Sequence, residues 1–484
     1  MSTSDGGHAV DEGTVQKTSQ TWVSELAELA ADLYHGEIPV QVLQRAMIQT
    51  MDTIACAAGA LGATAPKAVG AVIPHDPGQE GCSLFFESRK ARPEDAVLYN
   101  GALVRYLDYN DGYLRQGPGG HPSDNVPVAV AMAERQRSSG ADFLRSVVVG
   151  YEIFWRLRQG VFRAPGASRS LDGVSASGMV AACISGLLMG LDVASLSNAM
   201  AIAGSQGYTL PQVRRGRISM VKAIANAVVA RHGILAAQLA AEGMTGPAEI
   251  FEGDGGLLEA LGVEPTEAVR AMLFGPVGPW RITEVSIKPY PAIGTSQAAI
   301  TAAVRIKETV DFSVEDIGSV TIRLPDGIAA REQQNPERRL PTSRESADHS
   351  VPFLVACALE TGDVQPNSFD RDWDSLESSL PLLARIQILP DADLVADGDF
   401  TYPAVVNVSL KDGRLFSEGV TDTPGSPLDP WGQDEVGGKL VRLAAGQIPP
   451  AAAVRLIAAV SGLATAPSLQ DLSGALTESM SEFP

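Results

Sequence analysis

One short segment of the sequence carries residue types that could perform acid–base chemistry. Residues 100–124 read NGALVRYLDYNDGYLRQGPGGHPSD, in which an apolar helix ends in Asp108 and Asp111 and a Gly/Pro loop leads to His121 and Ser123. Carboxylates and imidazoles can take up and release protons, and loops on a rigid scaffold often carry reacting groups. The same pattern also fits a helix C-terminus followed by a solvated turn, so the segment alone leaves both interpretations open.

Other kinds of site are disfavoured by the sequence. It contains no phosphate-binding P-loop, no G-x-G-x-x-G and no H-E-x-x-H, and GVSAS at 173–177 lacks the last glycine of a nucleophile elbow. The four cysteines are far apart, which favours buried thiols over a disulfide framework, a zinc site or an iron–sulfur cluster: Cys56, Cys82, Cys183 and Cys357. We therefore predict no metal and no cofactor.

Length and charge limit the classes of partner. A chain of 484 residues is too long for one compact core. Its formal charge of −20 would repel nucleic acids and anionic membranes, so a small molecule is the expected partner, and an anionic one would need a locally cationic pocket. The N-terminus lacks the features of a signal peptide, and residues 173–191 are more typical of a buried helix than of a membrane span. We expect a cytoplasmic protein.

Hydrophobic periodicity predicts a mainly α protein with an α+β insertion. Residues 1–20 are polar and are predicted to form a flexible tail, and residues 21–279 contain successive helices rich in small residues. Within 280–422 the pattern predicts an α+β domain, with strands at 277–291, 318–326 and 384–391 and a hairpin that turns at Asp412 and Gly413. Residues 423–484 are predicted to be helices that return to the all-α domain.

Several stretches, in the right order, resemble the MmgE/PrpD family, which includes 2-methylcitrate dehydratase, cis-aconitate decarboxylase and iminodisuccinate epimerase. They cover nearly the whole chain: MDTIACAAGAL (51–61), NGALVRYLDYND…GGHPSDN (100–125), VVGYEI (148–153), MVKAIANAVVARHGILAAQLAAEGMTGP (220–247), IKPYPAIGTSQAAI (287–300), DHSVPFLVACALETG (348–362) and SPLDPWGQDEVGGKL (426–440). LDYND…HPSDN looks closest to the dehydratase branch. The resemblance implies a large all-α domain with an inserted α+β lid domain, usually as a homodimer.

The resemblance also implies the positions of the site. Five residues are the catalytic candidates. Asp108, His121 and Lys288 match the family's D-[FY]-x-D, H-P-S and K-P-Y-P motifs, respectively. Lys222 matches a lysine before a long helix, and His349 matches the histidine of a D-H pair. The lysine of K-P-Y-P is shifted by one residue in the dehydratase branch. The candidates for substrate binding are Asp111, Ser123, Arg214, Arg215, Arg217 and Asp348.

The implied chemistry is that of a cofactor-independent lyase acting beside a carboxylate, most simply a dehydratase that removes water from a hydroxy acid. Lys222, Lys288 and the arginine run would neutralise the substrate's carboxylate. His121, steered by Asp108, and His349, with Asp348, would be acid and base in an order that the sequence leaves open. A decarboxylase or an isomerase/epimerase of a small polycarboxylate would use the same pocket, and a non-catalytic homologue is a third alternative.

Four positions depart from these relatives. Gly112, Gly173, Thr295 and Phe353 stand where relatives have Thr, His, His and Tyr, respectively. Losing hydrogen-bonding partners would leave groups of a highly polar substrate unpaired. The sequence therefore predicts a less polar pocket, and a preferred acid with fewer polar groups than 2-methylcitrate.

Overall fold

The protein is mainly helical with a small sheet, as predicted. The computed structural model describes residues 20–74, 81–114, 119–394 and 402–477, so the predicted tail lies almost wholly outside the described residues. The described helices are α1 (Trp22–His35), α2 (Val40–Gly59), α3 (Thr64–Val72), α4 (Pro93–Tyr106), α5 (Val126–Gln136), α6 (Gly140–Leu157), α7 (Ala176–Leu188), α8 (Val193–Gly204), α9 (Ala225–Ala241), α10 (Leu257–Leu261), α11 (Glu267–Phe274), α12 (Gln297–Thr309), α13 (Asp326–Gln334), α14 (Pro336–Arg339), α15 (Arg344–Ala347), α16 (Val351–Thr361), α17 (Leu376–Ser379), α18 (Gln433–Ala444), α19 (Pro450–Ser461) and α20 (Gln470–Thr477). The strands are β1 (Cys82–Ser83), β2 (Lys90–Ala91), β3 (Ile317–Leu324), β4 (Ile386–Pro390), β5 (Ala404–Leu410) and β6 (Leu415–Val420).

The larger apolar core is built from helices that approach one another closely. It contains residues between Val23 and Ile287 together with residues between Val436 and Leu476. Helix α7 is buried along its whole length and packs against α6, α8 and α9. A Cβ atom at Gly233 of α9 would lie 2.2 Å from the carbonyl oxygen of Gly178 in α7, so only glycine allows this approach.

The smaller core, between Tyr290 and Val420, lies against a four-stranded sheet of order β4-β3-β5-β6. Strands β3 and β4 are parallel, whereas β5 pairs antiparallel with β3 and β6. Buried and less buried residues alternate along β5, and α12 packs against β5 and β6. The hairpin turns through Asp412 and Gly413 as predicted, with Gly413 at a φ of 94° that favours glycine.

Two predictions of secondary structure were wrong. Residues 277–291 do not form a strand, because Arg281–Glu284 is a 3₁₀ turn and only Ser286 makes a β-bridge, with Gly112. Their alternating pattern instead reflects Val285 and Ile287, which are buried in the larger core as the chain passes over it. The two-residue strands β1 and β2 also interrupt a region that was predicted to be purely helical.

All four cysteines are buried and free, which confirms the prediction of buried thiols. Within the described ranges, no single helix is long and apolar enough to cross a membrane. Helices α2 and α3 meet the length and composition criteria only as a pair, across a bend of 90°.

A buried lysine ties the C-terminal helices to the chain segments that carry the candidate residues. The ammonium of Lys439, in α18, donates to the Asp52 carboxylate at 2.7 Å and to the carbonyl oxygens of Tyr109 at 3.0 Å and Lys288 at 3.1 Å. Neither Lys439 nor Asp52 has any exposed side-chain surface. These three acceptors match the three donors of an ammonium group.

We predict that Lys439→Met destabilises the protein by about 3–5 kcal/mol, because it leaves the Asp52 carboxylate buried without its main partner. Chemical denaturation measures this loss, and the double variant Lys439→Met/Asp52→Leu should recover most of it. Arg414→Ala is the control, because it removes the exposed pair of Arg414 and Asp412 and should leave the free energy of unfolding nearly unchanged. A Lys439→Met variant as stable as the parent protein would contradict this account.

Candidate active site

The site is centred on one buried carboxylate that contacts three cations. Asp108 Oδ1 lies 2.6 Å from Lys288 Nζ and 2.9 Å from Arg105 Nη1, and Oδ2 lies 2.8 Å from Lys222 Nζ. These side chains are almost completely buried. Together the three cations hold the pKa of Asp108 well below its usual range, against the opposing effect of burial. Asp108 is therefore ionised.

Backbone geometry directs this carboxylate inward. Helix α4 ends just before Asp108, which has a φ of 50°, a left-handed conformation that residues other than glycine rarely adopt. Lys288 Nζ donates to the Asp108 carbonyl oxygen at 2.7 Å in addition to the carboxylate. Lys222 comes from the 3₁₀ turn Met220–Ala223 that precedes α9. Three separate segments of the chain thus meet at Asp108.

His349 and Asp348, between α15 and α16, form a second pair beside the first. Asp348 accepts hydrogen bonds from Lys222 Nζ at 2.9 and 3.0 Å and contacts His349 Nδ1. Because the carboxylate faces Nδ1, that nitrogen carries the proton and Nε2 has its lone pair free, 3.7 Å from Asp108 Oδ2. Burial and the nearby Lys222 lower the pKa of His349 to about 3, so its imidazole is neutral at pH 7.

His121 approaches Asp108 from its other oxygen. Its Nδ1 donates to the backbone carbonyl of Asp111 at 2.5 Å, and its Nε2 lies 3.2 Å from Arg105 Nη2 and 4.0 Å from Asp108 Oδ1. Arg105 and the Asp111 backbone thus make closer contacts with His121 than Asp108 does, and the steering of His121 by Asp108 stays a prediction. Burial, with Arg105 and Lys288, holds the pKa of His121 well below its usual range.

Asp111 and Ser123 are buried and tie the His121 loop to the helical domain. The Asp111 carboxyl group accepts from the Ser123 N–H at 3.2 Å and from the Tyr151 hydroxyl at 2.7 Å, and burial raises its pKa to about 7. The Ser123 hydroxyl accepts from Asn110 at 2.9 Å. These contacts position the loop, while a direct role of Asp111 and Ser123 in substrate binding stays a prediction.

The three arginines of the run, Arg214, Arg215 and Arg217, have different surroundings in the structure. Arg214 is partly buried and pairs with Asp172 at 3.0 Å. Arg215 and Arg217 are exposed, and the ion pairs found around Asp108 in the described residues do not include them. A role of these three arginines in neutralising the substrate stays a prediction.

Sequence reasoning missed two cations of the cluster. Arg105 lies one helical turn before Asp108, at the i,i+3 spacing of a helical ion pair. Arg344 lies four residues before Asp348, with Nη1 at 3.5 Å from its carboxylate and the guanidinium above the Tyr106 ring. Both spacings were available as signals in the sequence.

A metal could in principle be held by Asp108, Asp348 and His349, whose ligand atoms all lie within 4.8 Å of one another. Lys222 Nζ, however, lies 2.8 Å from Asp108 Oδ2 and 2.9 Å from Asp348 Oδ2. The ammonium therefore already supplies positive charge between these carboxylates, and a metal ion there would have to displace it. The donor set fits a lysine-centred site better than a metal site.

The four departures from the family's pattern have different structural consequences. A Cβ atom at Gly112 would lie 3.3 Å from His121 Nδ1, and Phe353 is buried among apolar side chains. At Gly173, however, a Cβ atom would lie 1.0 Å from Arg158 Nη1, and Thr295 accepts a hydrogen bond from Arg331 at 2.8 Å. At positions 173 and 295, therefore, a guanidinium group lies beside the residue, from Arg158 and Arg331 respectively. The preference for a less polar acid stays a prediction.

Known proteins are similar to this chain over both of its parts. The MmgE/PrpD N-terminal domain matches residues 24–267 and the MmgE/PrpD C-terminal domain matches residues 290–464. A cis-aconitate decarboxylase-like protein, oryM, of Aspergillus oryzae is 26% identical and covers 95% of this chain and 97% of its own. Cis-aconitate decarboxylase of Aspergillus terreus is 25% identical (82% and 84%), and 2-methylcitrate dehydratase of Cupriavidus necator is 24% identical (77% and 79%). With both domains matched in order over most of its length, the chain belongs to the MmgE/PrpD family.

Proposed function

We propose that this protein is a cofactor-independent lyase that removes water from a hydroxy carboxylic acid. The observation that carries the proposal is the cluster in which a neutral, carboxylate-bound histidine lies beside three buried cations around Asp108. Relatives named as dehydratases and decarboxylases support lyase chemistry in the family. A homodimer and a cytoplasmic location stay predictions from the sequence.

His349 is the proposed base. Its Nε2 takes the proton from the carbon next to the substrate's carboxylate, and Asp348 stabilises the imidazolium that forms, as in other carboxylate–histidine pairs. The C–H electron pair forms an enolate-like carboxylate, whose oxygens need fixed positive charge nearby. Lys288 is suited to this task, because its described contacts with Asp108 use two of its three ammonium protons.

Lys222 is the proposed acid. Both histidines are neutral, whereas burial lowers the pKa of Lys222 and makes its ammonium a better proton donor. As the carbon–carbon double bond forms, the C–O bond breaks and the hydroxyl leaves as water with the proton of Lys222. The proton gained by His349 is on Nε2, whereas Lys222 Nζ lies beside Nδ1, at 3.3 Å. After the product leaves, His349 therefore gives this proton to water and Lys222 takes one up from water, which restores both groups.

Decarboxylation is the second candidate, favoured by the names of the relatives at 25–26% identity. In that reaction the C–C bond to a carboxylate breaks, carbon dioxide leaves, and an acid protonates the carbanion, so the same cations and Lys222 suffice.

Proton NMR in D₂O tests the candidates on a panel of hydroxy and unsaturated di- and tricarboxylic acids. Dehydration gives a new vinyl signal at constant carbon count, and decarboxylation gives a product with one carboxylate fewer. Deuterium exchange with inversion would instead indicate an isomerase. If no acid reacts while the protein is folded, the proposal is wrong.

We predict that His349→Gln lowers kcat by about 10²–10⁴-fold, the usual contribution of a general base. Asp348→Asn should also lower kcat, because the amide can hold the wrong tautomer of His349. His232→Gln is the matched control, since His232 is an exposed residue of α9. Steady-state kinetics on folded variants provide the measurement, and near-parental kcat in His349→Gln would remove His349 from the mechanism.

The pH profile should reflect the low pKa of His349. A base works only when it is unprotonated, so a pKa of about 3 keeps it active far below the ordinary histidine value. We expect kcat/KM to stay level between pH 8 and pH 5. The Asp111→Asn variant is the control, because Asp111 titrates near pH 7. An acid limb near pH 6.5 that persists in this variant would contradict the assignment.

Activity should survive prolonged chelation with EDTA, because Lys222 supplies the positive charge between Asp108 and Asp348. Turnover after dialysis against EDTA, compared with an untreated sample, tests this. Activity that disappears and returns with one divalent metal would contradict the lysine-centred mechanism.

A further inference from the structure

Arg344 joins the two parts of the molecule beside the cluster around Asp108. It belongs to α15, in the part of the chain that forms the smaller core, and its Nη1 donates to the carbonyl oxygen of Tyr106, the last residue of α4, at 3.1 Å. The guanidinium carbon lies 4.3 Å from the centroid of the Tyr106 ring and 5.0 Å from that of the Phe369 ring. Tyr106 packs against the larger core and Phe369 belongs to the smaller one, so a single side chain contacts both.

Each contact of Arg344 leads to a site residue over a short stretch of chain. The Tyr106 carbonyl is one of the last four of α4, which have no partner within the helix, and two residues later Asp108 turns inward with a φ of 50°. On the other side, Arg344 Nη1 lies 3.5 Å from Asp348 Oδ2, while Oδ1 faces His349 Nδ1. Arg344 therefore contacts both the helix end before Asp108 and the carboxylate that orients the proposed base.

Neutralisation of charge does not account for this arginine. Lys222 Nζ already contacts both oxygens of Asp348, at 2.9 and 3.0 Å, which is closer than the guanidinium of Arg344. Nη2 of Arg344 is buried and makes no hydrogen bond with any described residue, a state that costs free energy. A guanidinium group differs from another cation in its planar shape and its fixed donors. Its geometry therefore explains the arginine better than its charge does.

We propose that Arg344 is a positioning residue for the proposed base. From the Tyr106 carbonyl its planar group reaches Asp348 Oδ2, which fixes the rotation of that carboxylate and keeps Oδ1 opposite His349 Nδ1. The histidine is thereby held with its proton on Nδ1 and its lone pair on Nε2, towards Asp108. This inference rests on the proposed function, because it concerns the same site.

The first test measures the tautomer of His349 without any substrate. NMR of protein labelled with ¹⁵N in its histidine rings distinguishes a protonated ring nitrogen from one with a lone pair, and His349→Gln identifies the signal. In the parent protein, Nδ1 of His349 should carry the proton. In Arg344→Ala, both tautomers should be populated, because the Asp348 carboxylate can rotate. Arg344→Lys should show the same loss, since an ammonium group keeps the charge but not the planar set of donors.

The second test restores the missing group from solution. Arg344 and Tyr106 line a cavity of about 540 Å³ between the two parts of the chain, so replacing the arginine by alanine leaves a space that a guanidinium ion can reach. Guanidinium chloride at a non-denaturing concentration should return the His349 signal of Arg344→Ala to the parental tautomer. Sodium chloride at the same concentration should not, because it supplies no planar donor group.

Kinetics extend the test to any acid that the enzyme turns over. Arg344→Ala should lower kcat by about tenfold or more, a part of the contribution of a general base, and guanidinium chloride should recover some of this loss. KM should stay within about threefold of the parental value, because Arg344 acts on Asp348 rather than on the substrate. In the Asp348→Asn background, Arg344→Ala should cause no further fall in kcat.

Arg371→Ala is the matched control. Arg371 also lies in the part of the chain that forms the smaller core, is buried to a similar extent, and contacts one carboxylate and one backbone carbonyl, as Arg344 does. Its removal should leave the tautomer of His349 and kcat at parental values. Thermal unfolding verifies that each variant is folded.

The outcomes separate the two proposals. A folded Arg344→Ala variant that keeps the parental tautomer of His349 would overturn the positioning role, as would a lost tautomer that guanidinium does not restore. If Arg344→Ala does not fold, the tautomer in Arg344→Lys decides in the same way. A parent protein whose His349 tautomer depends on Arg344 but which transforms no acid would refute the lyase proposal and retain the positioning role.

Discussion

The structure of the site depends on the charge of one buried carboxylate. Asp108 is ionised in an environment that would otherwise favour its neutral form, because Arg105, Lys222 and Lys288 each lie within 3 Å of its oxygens. The dependence is mutual, since three cations buried without a carboxylate would carry a large desolvation cost. In the proposed mechanism, a substrate carboxylate would compete with Asp108 for the ammonium protons of Lys222 and Lys288.

This arrangement also determines which groups can act as acids. Burial lowers the pKa of both nearby histidines, and the cations that stabilise Asp108 lower it further because they repel another positive charge. The imidazoles are consequently proton acceptors in the resting enzyme, and the ammonium groups are the donors. The sequence could identify the residues for acid and base chemistry, but only their mutual distances could assign the roles.

Much of the fold could be predicted from periodicity. The helix that ends before Gly36, the β3 strand and the hairpin at Gly413 have strong local signals, because apolar spacing and turn residues act over a few positions. The failed strand at 277–291 shows the limit, since alternating apolar residues there pack on a helical core rather than in a sheet. Similarly, motif matching found Asp108 but missed Arg105, because an arginine within a helix normally suggests a solvent-exposed face.

The least predictable feature is the volume next to Gly173, which a side chain at that position would occupy. Position by position, glycine in place of a polar residue indicates a loss of hydrogen bonding. In three dimensions, the volume next to Gly173 belongs to Arg158, which is 15 residues earlier in the sequence. A ligand interacts with the charges and hydrogen-bond donors that line a pocket, whichever residues supply them. Which side chain fills each volume therefore follows only from the three-dimensional structure, because a glycine can make room for the guanidinium of a residue elsewhere in the chain.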